Sequence, residues 1–332
     1  MVSAIFMVII VVSILLAFAI GANDETFASV VGVKRLSVRM AVIVGAIIAL
    51  LGGVFLSKNV GETLRDDISE LDMTSNLVLI SIYVAMAISL VLASVFGLPI
   101  SSTEAMVGSI LGISIATGSK INWNWGGMGH VLATWFISPV LGFTISFTVM
   151  KLVNAILRRS VKSFRGTEKA NTIFGVLLLA MVFMTGLSRA GNDINNAIAP
   201  IVWFFEQNPD RSWFYQKLPF ILGGLGLGAG LIIIGWRVLK TLGNEVVELT
   251  PESAFVTEGV AAFIVFIAVY LGIPVSGTLT LVSSFVGAGV GMKKQINFST
   301  LRMILLFVFL TPLISGLCAV GCYFALRGVV LT

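Results

Sequence analysis

Charge is what this sequence has least of: Asp, Glu, Lys and Arg make up 11% of its 332 residues, against about 25% in ordinary soluble domains. A soluble chain of this length must cover a large wetted surface, and this one lacks the polar residues to do it. Histidine occurs once, at His130, and cysteine twice, at Cys318 and Cys322, which excludes a His/Cys metal centre and a disulfide framework. The two thiols sit four apart on an apolar segment, one helical face, and read as packing. No basic run interleaved with aromatics is present, so the net charge of +5 reports loop placement rather than nucleic-acid binding. No segment is polar enough to form a separate catalytic domain.

What fills the chain instead is apolar sequence, 57% of it. Uninterrupted runs fall near residues 3–22, 40–56, 76–98, 103–118, 127–150, 172–190, 219–236, 254–273, 278–292 and 301–326. In lipid such runs must be helical, because only helices and closed barrels satisfy the backbone there. The fold class is therefore an all-α polytopic membrane protein. Val2 to Ile20 reads as a retained helix, since no Lys or Arg leads it.

The connection around 151–169 carries Lys151, Arg158, Arg159, Lys162, Arg165 and Lys169 against one acid, Glu168, and by the positive-inside rule is cytoplasmic. Counting spans from this 151–170 loop puts both termini outside. The acidic stretch Glu62, Asp66, Asp67, Glu70 and Asp72 then also lies outside, while Lys34, Arg35, Arg39, Lys293 and Lys294 lie inside. Only the 237–252 connection, with two basic and three acidic residues, fits the rule less well.

The two halves repeat. Gly97-Leu98-Pro99-Ile100-Ser101-Ser102-Thr103 returns as Gly272-Ile273-Pro274-Val275-Ser276-Gly277-Thr278, and Ile121-Asn122-Trp123 as Ile296-Asn297-Phe298. Asn23-Asp24 returns as Asn192-Asp193, and Ser138-Pro139 as Thr311-Pro312. Four anchors in one order mark an internal repeat. With five segments in each, residues 1–150 and 172–332 form two inverted repeats joined by the basic connection 151–171. Broken or re-entrant helices are expected where they meet, the arrangement of many secondary transporters.

The duplicated polar points are then the candidate site. Intramembrane carboxylates are costly unless solvated or paired, so Asp24 and Asp193 are functional candidates. Each has an Asn and a Gly beside it, and helix breaks are expected at Gly21-Ala22-Asn23-Asp24 and Gly191-Asn192-Asp193. Their oxygens suit Na⁺ at Asn23, Asp24, Asn192 and Asp193, though the carboxylates can equally take a proton. In the second motif, proline ends one helix and Ser or Thr can cap the next. Ser101, Ser102, Thr103, Ser276 and Thr278, with free backbone N–H groups, would then face an anion at a positive helix start. Arg189, three residues before Asn192, is an anion ligand or a partner for an acid. Glu258 and Glu104 are further acids near the motifs and further candidates for coupling Na⁺ or H⁺. His130 reads as packing, and Trp123, Trp125, Trp203 and Trp213 as interfacial residues.

On these residues the chain resembles the inorganic phosphate transporter (PiT) family. The resemblance rests on Gly21-Ala22-Asn23-Asp24, Gly191-Asn192-Asp193 and both Pro-x-Ser-x-Thr segments, together with Gly235-Trp236-Arg237 through Leu249-Thr250-Pro251. It covers nearly the whole chain and implies secondary transport of phosphate with sodium or protons by an inverted-repeat protein, often a homodimer in membrane lipid. Anion-binding roles would fall on Asn23, Asn192, Ser101, Thr103, Ser276 and Thr278, and cation coupling on Asp24, Asp193, Asn196 and Glu258. Departures are specific. Asn196 keeps the family's Asn three residues after the Asp, but Phe27 replaces it in the first half. Glu104 and Leu279 stand where histidine is common, as does Arg189. An acid usual in the second helix is lost among Ala49, Leu50 and Leu51.

The reading that follows is a transporter of the cell membrane importing phosphate with Na⁺ or H⁺, with no cofactor and no enzyme activity. Sulfate has the same shape and defines a rival permease. A cation exchanger is disfavoured by the paired anion-type helix starts. An intramembrane aspartyl protease needs two apposed acids, but Asp24 and Asp193 each belong to a repeated Asn-Asp pair.

Overall fold

The structure, a computed structural model, describes residues 4–56, 69–72, 75–125, 127–206, 212–270 and 275–330. Glu62, Asp66 and Asp67 of the acidic stretch and Gly272, Ile273 and Pro274 of the second motif lie outside the described residues, as do the side chains of Asn192 and Trp203. Twelve helices follow one another among the described residues: α1 (Ala4–Ala22), α2 (Ala28–Gly32), α3 (Val38–Leu56), α4 (Asn76–Val95), α5 (Ser102–Thr117), α6 (Met128–Ser160), α7 (Phe164–Glu206), α8 (Trp213–Gly230), α9 (Trp236–Asn244), α10 (Pro251–Tyr270), α11 (Gly277–Gly291) and α12 (Phe298–Val330). A π-helical stretch, Leu231–Gly235, joins α8 to α9. All ten apolar runs become helices; the short α2 and α9 have no hydrophobic run to announce them.

Among the described residues, eight helical spans are long and apolar enough to cross a membrane. The helices α5 and α11, of 16 and 15 residues, are not among them. At about 1.5 Å per residue they reach only about 24 Å, short of a hydrocarbon core of about 30 Å. The protein is an integral membrane protein, and its outward surface agrees: Phe55, Phe136, Val140, Met184, Phe266, Phe309 and Leu317 are all exposed. Water would punish that surface; lipid does not.

Two differences from the sequence expectation concern breaks and connections. Only the first polar break exists. Helix α1 stops at Ala22, whereas α7 runs unbroken through Gly191, Asn192 and Asp193. The basic connection is also barely a loop. Val161–Ser163 is the whole turn, so Lys151, Arg158 and Arg159 ride on the end of α6 and Arg165 and Lys169 on the start of α7. At 33 residues α6 spans about 50 Å, so its charged end projects past the apolar layer.

Packing exchanges the halves. Helix α5 lies against α12, and its counterpart α11 lies against α6; α1 packs on α8 and α4, as α7 packs on α3 and α10. Even the close approaches repeat. A Cβ on Gly112 of α5 would fall 2.5 Å from the Gly316 carbonyl oxygen of α12, and one on its mate Gly287 would strike the Phe143 carbonyl of α6. Two isolated bridges repeat as well, Ser69 with Ile121 and Val247 with Ile296. After each, an asparagine turns the chain into the next helix: Asn122 Oδ1 accepts from Asn124 N, and Asn297 Oδ1 from Ser299 N. Both short helices are thereby anchored just beyond their C-terminal ends.

Candidate functional site

The chain leaves α1 through a polar loop because its side chains compete with helical hydrogen bonds. Asp24 Oδ1 accepts from the backbone N of Thr26 at 2.9 Å and from its hydroxyl at 2.5 Å. The preceding Asn23 is 4% exposed and its amide is fully engaged. Oδ1 accepts from Ile100 N (3.3 Å) and Ser94 Oγ (3.2 Å), while Nδ2 donates to the Ile100 carbonyl. Asn23 thus fastens the α1–α2 loop to the extended residue just ahead of Ser101, which holds the N-cap position of α5.

The start of α11 arrives at the same place. Ser276 caps it, accepting from Leu279 N at 3.2 Å. One residue into the helix, the Thr278 hydroxyl lies 3.4 Å from the Ile100 carbonyl and 3.2 Å from Glu25 Oε1. The two Pro-x-Ser-x-Thr segments, distant in sequence, therefore meet. Ser101, Ser276 and Thr278 are buried; Ser102, Thr103 and Gly277 are half-buried.

Glu25 draws in a third element. Its carboxylate accepts from Arg189 Nη2 of α7 at 2.7 Å, with Glu25 only 2% exposed. The Arg189 side chain keeps 35% of its surface uncovered. It also lies near the start of α11, since a Cβ on Gly277 would lie 3.7 Å from Arg189 Nη2. One helical turn on, Asp193 is half-buried and within electrostatic reach of Arg189, Asp24 and Glu25. Glu258 of α10, 5% exposed, accepts from Ser29 Oγ of α2 at 2.6 Å. Glu104, in the first turn of α5 and 1% exposed, faces Ser276 and Ser101.

Four carboxylates, Asp24, Glu25, Asp193 and Glu258, thus lie within electrostatic reach of one guanidinium, and a fifth, Glu104, lies within reach of Glu25 beside the two short-helix starts. They are spread out: among the described residues no three His, Cys, Asp or Glu side chains could jointly hold a metal ion. A cation here would have to draw on hydroxyl and carbonyl oxygens beside a carboxylate.

Of the remaining sequence candidates, Asn196 is half-buried on α7, and its carbonyl accepts from the Tyr83 hydroxyl at 2.9 Å. That carbonyl is the one orphaned by Pro200, which has no N–H to return to it. His130 packs edge-on against Trp125 at 4.8 Å, as a packing residue would. Trp123, Trp125 and Trp213 are exposed.

The model of the phosphate transporter family matches residues 20–319. The chain belongs to the phosphate transporter family. A relative named as a phosphate permease, from Thermococcus kodakarensis, is 28% identical, the match covering 94% of this chain and 95% of the relative. Inorganic phosphate transporter 2-1, chloroplastic, from Arabidopsis thaliana, is 25% identical, over 82% of this chain and 64% of that protein. A solved structure titled the sodium-dependent phosphate transporter shares the fold, with a TM-score of 0.82 over 98% of this chain and 99% of that one at 21% identity. This member of the phosphate transporter family is accordingly a membrane transporter and not an enzyme.

Sequence reasoning misses Glu25 and Ser29. Glu25 sits directly after the Asn-Asp pair and is a buried acid in an apolar chain, which is signal enough. Its partner Arg189 stands out in the sequence, but in the other half, where nothing suggests the pairing. Ser29 gives no signal, because a serine in a short helix means nothing until Glu258 is seen against it.

Proposed function

We propose that this transporter imports inorganic phosphate across a cell membrane together with sodium ions or protons. The observation that supports this is the charge imbalance at the meeting of the helix starts: five carboxylates, one arginine. Phosphate brings further negative charge. Two like charges about 5 Å apart repel by about 3 kcal/mol at an effective dielectric of about 20, so several such contacts forbid the anion unless cations arrive with it. In this reading cations settle at Asp24 and Asp193 with the neighbouring Asn23 and Asn192, with Asn196 and Glu258 serving the coupling. The anion lies between Ser101-Ser102-Thr103 and Ser276-Gly277-Thr278, whose hydroxyls and free N–H groups donate to it. Asn23 acts here chiefly by holding Ile100, and so by aiming the first helix start.

Arg189 is shared. With the site unfilled, Glu25 takes the guanidinium and the Thr278 hydroxyl, the two donors an oxyanion would also seek. Phosphate arriving with cations competes for both. Movement of one repeat against the other then exposes the site alternately to the two sides, with both termini outside and the 151–170 turn in the cytoplasm.

Phosphate binding to the purified protein tests the coupling. Affinity should rise at least tenfold when sodium replaces choline, or on acidification at fixed salt. Equal binding in all these media would contradict the reading.

A further inference from the structure

Glu104, by sequence a candidate for cation coupling, is a buried acid to which the proposed cation sites give no part. Neither oxygen of Glu104 has a partner in good hydrogen-bond geometry among the described residues, although the side chain is 1% exposed and the Ser276 side chain and Ser101 backbone lie close enough to act on it. The groups it faces are Ser276 at the start of α11 and the backbone at Ser101, with Glu25 within electrostatic reach. It therefore stands between the two helix starts. The equivalent position at the second start is Leu279, which brings no acceptor of its own.

An ionised carboxylate differs from everything else at this meeting point, because it only accepts hydrogen bonds. Backbone N–H groups and the guanidinium donate, and hydroxyls do both. A fully deprotonated tetrahedral anion also only accepts. Set against Glu104, such an anion opposes lone pair to lone pair with no proton between them, and both acceptors forfeit the water they left. An oxyanion that keeps a proton supplies the missing donor.

We propose that Glu104 reads the proton of the transported anion, accepting a hydrogen bond from a P–OH group and so admitting phosphate while turning sulfate away. The proposal rests on the phosphate-import reading. Phosphate at neutral pH carries at least one proton, and sulfate carries none. The proton that lies between Glu104 and the anion in the filled site arrives on the anion, with Glu104 ionised as the site fills.

The test is competition. Uptake of labelled phosphate into proteoliposomes is measured against increasing unlabelled sulfate, for the wild type, E104Q, E104N and E104D, and the ratio of the sulfate inhibition constant to the phosphate KM is compared. A purely structural role for Glu104 would weaken both anions alike and leave this ratio unmoved. The wild type is expected to discriminate strongly. In E104Q the amide N–H₂ can donate to a bare sulfate oxygen, and the ratio should fall about tenfold or more, the scale on which buried hydrogen-bonding sites reject or accept an analogue. E104D keeps an acceptor and should keep the discrimination. E104N likewise supplies an N–H donor where the carboxylate has none and decides the matter if E104Q does not reach the membrane. An unchanged ratio in a neutral variant that still takes up phosphate, or a wild type blind to the difference, overturns the assignment and leaves import standing. Wild-type vesicles that take up no phosphate overturn the import reading itself.

Discussion

The same dipeptide, Asn-Asp, ends a helix in one half of the molecule and rides through an unbroken helix in the other. After Asn23-Asp24 come Glu25 and Thr26, and every polar group finds a partner off the helix: Asp24 on Thr26, Asn23 on Ile100, Glu25 on Arg189. After Asn192-Asp193 the chain continues as Ile194-Asn195-Asn196-Ala197-Ile198, whose apolar members are buried against α1, α3 and α8. Arg189 and Asp193 are four apart, neighbours on one helical face. The lesson is that a repeat duplicates positions and not local structure, because local structure is decided by what the next few side chains can reach.

That comparison can be attacked at several points. The largest expected effect is at the carboxylates themselves: D24N and D193N should each lower coupled phosphate uptake by a hundredfold or more while the protein still reaches the membrane. Normal uptake by both would end the idea that the two copies share the work despite their different backbones. Next come the matched glycines. Both G112A and G287A press a methyl into a backbone carbonyl on the facing helix. Each should cost about 1–3 kcal/mol, read as lowered thermal stability in detergent. A large loss in one copy alone would deny the equivalence of the two short helices.

The Glu25–Arg189 pair belongs to the broken half's loop and the unbroken half's helix at once. Removing one partner strands the other, and R189Q or E25Q should cost about 2 kcal/mol, less than a fully buried pair because Arg189 is partly uncovered. The double variant should recover part of that loss, a coupling measured by the double-mutant cycle. Smallest is Y83F, which returns the Asn196 carbonyl ahead of Pro200 to its orphaned state at a cost of about 1 kcal/mol.

Most of the fold is legible in the amino-acid sequence, because lipid allows so few solutions: each apolar run has to be a helix, and the repeated Pro-Ser segments have to mark special ends. The meeting of the second motif, through Thr278, with Ile100 of the first is what their duplication leads one to expect. What escapes is whatever depends on reach. Nothing in Gly191-Asn192-Asp193 says that the helix will hold, since glycine and asparagine are also tolerated within helices when neighbours cover them. The pairing of Glu25 with Arg189 across 164 residues, and of Ser29 with Glu258 across 229, is a fact of packing that no local pattern encodes. Hydropathy underestimates the length of α6 because the last turns are charged, and an apolar run stops where the lipid does.

The central claim is that cations must accompany the anion into a site holding five acids and one arginine. Uptake of labelled phosphate into proteoliposomes, with and without an inward sodium gradient and with an inward proton gradient in its place, tests it most directly. The account predicts accumulation driven by one of these gradients and its loss when that gradient is collapsed. Phosphate that equilibrates at the same rate and to the same level with no cation gradient would contradict it.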